Sequence, residues 1–195
     1  MQDYSAGAVK LPFWFAEFRR TVLFLQSGQT AQALRRLAQE ENFFAASTPL
    51  RGRQIYFTVC ARAQSLPEPL RALFAGAGLE TQKLIALIAV MCTDALFFAF
   101  MREVYGEKLR VGGTVLGDAD IRAFFLDKQR ESETAAGWTD ATLHRLLLCY
   151  KNYLAQAGLL EQGVGERKIL RPLPEESLVR LLEAQGMESI LNCLR

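Results

Sequence analysis

The chain has 195 residues, half of them apolar, with a formal net charge of +2. That length lies between one large domain and two small ones, and the apolar fraction supplies ample material for a core. The charge is uneven: from Arg19 to Arg71, eight arginines and no lysine stand against three acidic residues, a net of +5 that leaves −3 for the rest. Such asymmetry points to an anionic partner, or to arginines that only coat solvated helix faces.

Residues 1–12 read as a tail ending at Pro12. From Phe13, the residues Trp14, Phe15, Phe18, Val22 and Leu25 recur at helical spacing until Gly28 stops the run. Thr30 caps a second predicted helix, with Leu34, Leu37 and Ala38 on its apolar side and Arg35 and Arg36 on its polar side, ending near Asn42. Thr48-Pro49 opens a third, whose apolar face is Ile55, Tyr56, Val59 and Cys60 while Arg51, Arg53 and Arg62 project elsewhere. Pro67 starts a short fourth helix that ends in Gly76-Ala77-Gly78. A fifth is expected over about 80–105. Within it, 84–101 is an 18-residue apolar run, just long enough for a bilayer. Asp94 lies inside that run and would cost roughly 2.5–3.5 kcal/mol there. A buried central helix is the preferred reading, with Asp94 a hydrogen-bonded carboxylate.

Gly106, Gly112, Gly113 and Gly117 then crowd a segment taken as a linker or small hairpin. It is not a phosphate loop, because the Lys-Ser/Thr ending is absent. Asp118 is expected to cap a sixth helix carrying Ile121, Phe124, Phe125 and Lys128. After a loop over 134–138, Thr139-Asp140 starts a seventh with Leu143, Leu146, Leu147, Tyr150 and Leu154, ended by Gly158. Leu159-Leu160 begins a short strand, 162–165 is a turn, and 167–171 is the returning strand, stopped by Pro172 and Pro174. Two helices, about 175–185 and 187–194, follow.

Cys60, Cys92, Cys149 and Cys193 are far apart in apolar stretches, as reduced core thiols would be, and His144 is the one histidine. No close ligand pair for zinc exists, and no residue is nominated as a partner for His144 in nucleophilic chemistry. No metal, no cofactor and no enzyme activity are therefore expected. The N-terminus lacks the charged, apolar and small-residue order of a signal peptide, so an intracellular protein is expected.

The order helix, turn, helix, Gly, strand, tight turn, strand over 118–172 resembles a winged helix-turn-helix. Such a module offers one helix face to the major groove and basic wing residues to the backbone. Here the helix face carries Thr142, Arg145, Asn152 and Gln156, flanked by His144 and Lys151, and the wing carries Arg167, Lys168 and Arg171, diluted by Glu161 and Glu166. Arg35, Arg36, Arg51, Arg53 and Arg62 form a second basic candidate, with guanidinium forks suited to phosphate oxygens. Arg51 and Arg53 have an alternative in pairing with Glu40 and Glu41.

Several short motifs carry a resemblance. They are Tyr4-Ser5, Gly28, Glu41-Asn42, the run Arg51, Arg53, Arg62, Asp94 ahead of a Phe-rich segment, Lys128, Thr142-Leu143, and Ala157-Gly158-Leu159-Leu160. In their order and spacing the chain resembles the BrxA-like proteins of bacteriophage exclusion (BREX) systems over nearly its whole length. It departs from that pattern early in the first helix, where 13–18 reads Phe-Trp-Phe-Ala-Glu-Phe instead of holding a glutamate-serine pair. The resemblance implies a non-enzymatic component of a phage-defence cluster, a helical part similar to the RNA-binding antitermination protein NusB, and DNA binding.

The expected architecture is mainly α: an N-terminal all-α bundle over 1–108, NusB-like, a Gly-rich linker over 109–117, and a winged-helix-like module with a small hairpin and C-terminal helices over 118–195. The expected function is DNA binding within the defence assembly, with other phage-defence proteins as partners and no membrane. The alternatives are a protein-interaction adaptor and RNA binding in the manner of NusB.

Overall fold

Threonine hydroxyls cap two helices of the first half. Thr30 Oγ1 accepts from Ala33 N at 3.1 Å, and Thr48 Oγ1 accepts from Arg51 N at 3.2 Å. These bonds satisfy amides that a helix start leaves open. A computed structural model describes residues 4–195 of the chain. It divides into two units, 14–93 and 94–195, the latter joined by the N-terminal residues up to Phe13.

The first unit holds α1 (Phe15–Gln26), α2 (Ala31–Glu40), α3 (Pro49–Ser65), α4 (Glu68–Gly76) and α5 (Leu79–Thr93). Gly28, at φ 84°, takes the left-handed conformation that turns the chain after α1. Phe18, Val22, Leu34, Val59, Leu70 and Phe74 are buried in its core. Every residue of 84–91 is buried, as expected of a helix that is apolar all round.

The helix expected over 80–105 is broken. Thr93 Oγ1 donates back to the Ala89 and Val90 carbonyls at 2.9 and 3.3 Å, and α5 ends there. Asp94 leaves the helical conformation, and its carboxylate accepts from Phe97 N at 3.0 Å, capping α6 (Ala95–Phe100). A short polar side chain that bonds its own backbone competes with helix continuation. A π-helical turn, Met101–Tyr105, leads into α7 (Gly106–Arg110). Asp94 is thus a half-buried cap, hydrogen-bonded as expected but not inside a continuous helix. No single helix among the described residues is long and apolar enough to cross a membrane.

The second unit continues with β1 (Val115–Leu116), α8 (Asp118–Glu131), α9 (Glu133–Ala136), α10 (Asp140–Gln156), β2 (Arg167–Lys168), α11 (Glu176–Ala184) and α12 (Glu188–Leu191). β1 and β2 are antiparallel, with Val115 opposite Lys168 and Leu116 opposite Arg167. On the other side, Leu160 bridges Ile169, and Leu170 N donates to the Leu159 carbonyl at 3.0 Å. The expected 159–171 hairpin is therefore one bridge with flanking bonds, and β2 takes its main partner from the glycine-rich segment. Phe97, Phe100 and Phe125 surround Tyr150 with ring centroids 4.9, 5.1 and 5.7 Å away.

Two boundaries differ from the sequence reading. The division between units falls at Asp94, not in 109–117. Two of the glycines serve close packing: a Cβ on Gly106 would lie 3.1 Å from Cys193 Cα, and one on Gly113 would lie 3.1 Å from the Lys108 carbonyl, whereas Gly112, at φ 76°, has open space around it. The tail is also not loose. Tyr4, Ala8 and Phe13 are buried, Gly7–Lys10 is a 3-10 turn, and the Cys149 thiol donates to the Ala8 carbonyl at 3.3 Å. Residues 1–3 of that tail lie outside the described residues. Asp118 is the first residue of α8 rather than its cap; Gly117 occupies the cap, with its N–H donated to Asp120 Oδ2 at 2.8 Å.

Candidate functional site

Thr139 Oγ1 accepts from Thr142 N at 3.3 Å and starts α10, and Gly158 at φ 82° ends the turn beyond it. Leu146, Leu147, Tyr150 and Leu154 face inward. Spacing of three and four residues then puts His144, Arg145, Leu148 and Asn152 on one exposed stripe, with Gln156 half-buried at its end. Arg145, Leu148 and Asn152 line a groove of about 430 Å³ whose other wall is Ala8, Val9 and Pro12 of the N-terminal segment. Leu148 is 48% exposed. Its place at the i+4 position from His144 and i−4 from Asn152 was the signal that could have added it to the polar residues read from sequence.

The strand side contributes unequally. Lys168 is exposed, and Arg167 is half-buried with a buried Nε that has no partner among the described residues. Arg171 is exposed overall, but its guanidinium donates to the Leu109 carbonyl, which anchors it to the backbone. Glu161 and Glu166 are exposed in the turn between.

Lys151 is a correction. It is 1% exposed, with its ammonium on the Asp118 carboxylate and, at 2.6 Å, on the Gly165 carbonyl. It ties α10 to α8 and to the turn, and so is withdrawn from the surface. The Lys151 hydrogen bond holds the Asp118 carboxyl below its usual range, against the desolvation that opposes this. Lys128 is buried in the same manner, 2.8 Å from Glu103 and 2.7 Å from Glu131.

In the other unit, Arg35, Arg36 and Arg53 are exposed and Arg51 is half-buried. The Arg51 guanidinium donates to Gln54 Oε1 at 2.7 Å and lies 4.6 Å from the Trp14 ring centroid. Arg62 is a second correction: at 4% exposure it belongs to the packed side of α3 and has no open surface for a phosphate. Its spacing from Arg51 and Arg53 showed a shared helix but not that its stem packs inward.

A family model named BrxA matches residues 2–186. The chain belongs to the BrxA family. A relative described as "BREX protein BrxA", from Bacillus cereus (strain H3081.97), is 36% identical over 185 residues, covering 95% of this chain and 92% of that one. A solved structure of an uncharacterized protein from Magnetospirillum magneticum shares the fold, with a TM-score of 0.81 over 100% of this chain and 99% of the other at 14% identity.

This BrxA-family chain has no group of three or more His, Cys, Asp or Glu residues placed to hold a metal ion among its described residues. His144 stands exposed on α10. All four cysteines are free; Cys60 and Cys193 are buried as expected, Cys149 is half-buried, and Cys92 is exposed, since it sits one residue from the end of α5. Burial pushes the Cys193 thiol up to about 11, which makes it a poor nucleophile at neutral pH.

Proposed function

We propose that this BrxA-family chain is a non-enzymatic, DNA-binding component of a bacteriophage-exclusion defence system, acting in the cytoplasm beside other defence proteins. The observation that carries this reading is the succession α7, β1, α8, α10 and β2, with the four-residue α9 in the connection between α8 and α10, 167–169 bonded on both edges and the exposed stripe of α10 beside it. That order is the one a winged helix uses, in which the second helix of the helix-turn-helix meets the major groove and the wing meets the backbone. Arg145 and Asn152 then face the duplex from α10, and Lys168 and Arg167 meet phosphates. Arg35, Arg36, Arg51 and Arg53 add cationic surface on the helical unit, the part read as NusB-like.

Few side chains on α10 are suited to reading base edges, so the contacts act mainly through phosphates and give weak sequence preference. A mobility-shift titration with duplex DNA, single-stranded DNA and RNA at two salt concentrations tests the reading. Duplex complexes should form at low salt and weaken strongly at the higher one. No shift with any nucleic acid would favour the adaptor role instead.

A further inference from the structure

We propose that the exposed face of α3 centred on Phe57 is a stacking platform for an unpaired base of a single-stranded nucleic acid. Phe57 is 56% exposed in the middle of a regular helix, and Leu50 on the same side is 78% exposed. Positions 50, 53, 57, 61 and 64 are all exposed at spacings of three and four, so Leu50, Arg53 and Phe57 share one stripe. Arg53 lies one turn before the ring, and Arg35 of α2 places its guanidinium carbon 5.8 Å from the ring centroid.

Charge selects the occupant. The 14–93 unit holds nine basic residues against five acidic ones, a net of +4, and α3 itself contains arginines and no acidic residue. An exposed ring with one guanidinium close by and a second arginine one turn earlier on the same stripe suits an unpaired base: the base stacks on the ring while cations follow the backbone. Arg35 sits close to the ~6 Å limit at which an aromatic face still attracts a cation. A base can therefore take the ring face while the guanidinium stays beside the adjoining phosphate or stacks on the base. Bases paired within a duplex are already stacked and cannot reach a ring on a helix surface, so the platform discriminates by strandedness. This inference rests on the bundle's arginines as phosphate ligands and not on the stripe of α10.

The test uses the full-length chain and fluorescence anisotropy with a mixed-sequence single-stranded oligonucleotide and the matching duplex. Phe57→Ala should weaken single-strand binding by roughly five- to a hundredfold, the range for loss of one base–aromatic stack, and leave duplex binding within about twofold. Phe57→Trp, which keeps a stacking surface, should retain single-strand affinity. Arg35→Ala with Arg53→Ala should flatten the single-strand salt dependence, which Phe57→Ala should leave unchanged. Wild-type protein that binds no single strand would overturn the proposal. So would a Phe57→Ala variant, folded by circular dichroism, with unaltered single-strand affinity or equal losses on both probes, as would capture of a defence protein lost in both Phe57 variants without change in oligonucleotide binding. Loss of duplex binding on substituting Arg145 and Lys168 bears on the α10 reading alone.

Discussion

Lys151 and Asp118 close the second unit from opposite ends: the buried ammonium of α10 sits on the carboxylate that opens α8. Asp118→Asn keeps an oxygen for the ammonium but removes the charge that compensates it, and should cost roughly 1–3 kcal/mol, the range for a hydrogen bond to a charged group. The Gly165 carbonyl, which remains at 2.6 Å, keeps the loss from being larger. Thermal denaturation checks this, and an unchanged Tm would mean that the pair is dispensable.

The same pair sets an acid dependence. The Asp118 carboxyl is held low by Lys151, and the Glu103 carboxyl is held low because hydrogen bonds from Lys128 and Arg102 outweigh its desolvation. A carboxylate depressed in the folded state stabilises it above the unfolded pKa, near 4, and that contribution disappears as pH falls through the folded value. Stability should therefore decline from about pH 5 downward, and the decline should be shallower in Asp118→Asn. Equal acid slopes in the two proteins would remove Asp118 from the account.

Gly106 follows the π-helical turn where 192–193 pack against it. A Cβ there would meet Cys193 Cα and the Met101 carbonyl at 3.1 Å each and the Asn192 carbonyl at 3.4 Å, all backbone atoms. Gly106→Ala should cost about 1–3 kcal/mol, as overpacking does, despite the better helix propensity of alanine. A more stable alanine variant would show that the segment yields freely.

The Tyr150 hydroxyl is buried without a hydrogen-bond partner among the described residues, inside a ring of phenylalanines. Burial pushes its phenol well above the usual range. Tyr150→Phe keeps the ring and removes an unpaid polar group, so stability should hold or rise by about 1 kcal/mol, some 2–4 °C in Tm. A drop of several degrees would reveal a partner for that hydroxyl.

Helix starts were legible because threonine caps act locally: Thr30, Thr48 and Thr139 each stand where the sequence places a boundary. The inward leucines of α10 were legible from period alone. Pairings between distant segments were not. Nothing in 109–117 says that Val115 will lie opposite Lys168, and nothing in the spacing of Lys151 says that its ammonium will find Asp118, 33 residues away. Lysine on a helix flank is ordinarily solvated, and only the fold reveals a buried acceptor pair. Asp94 is the intermediate case, since a lone acid in an apolar run signals either a buried carboxylate or a cap, and local geometry decides.

The stripe of α10 and the β2 strand are proposed to hold duplex DNA through phosphates. The direct measurement is duplex affinity against salt for the wild type and for Arg145→Ala with Lys168→Ala. Each neutralised phosphate contributes about −0.9 to the log–log slope. The wild-type slope should be steep and should flatten by about one to two units in the double variant, with little change between duplexes of different sequence. An unchanged slope in a variant that remains folded by circular dichroism would contradict the proposal.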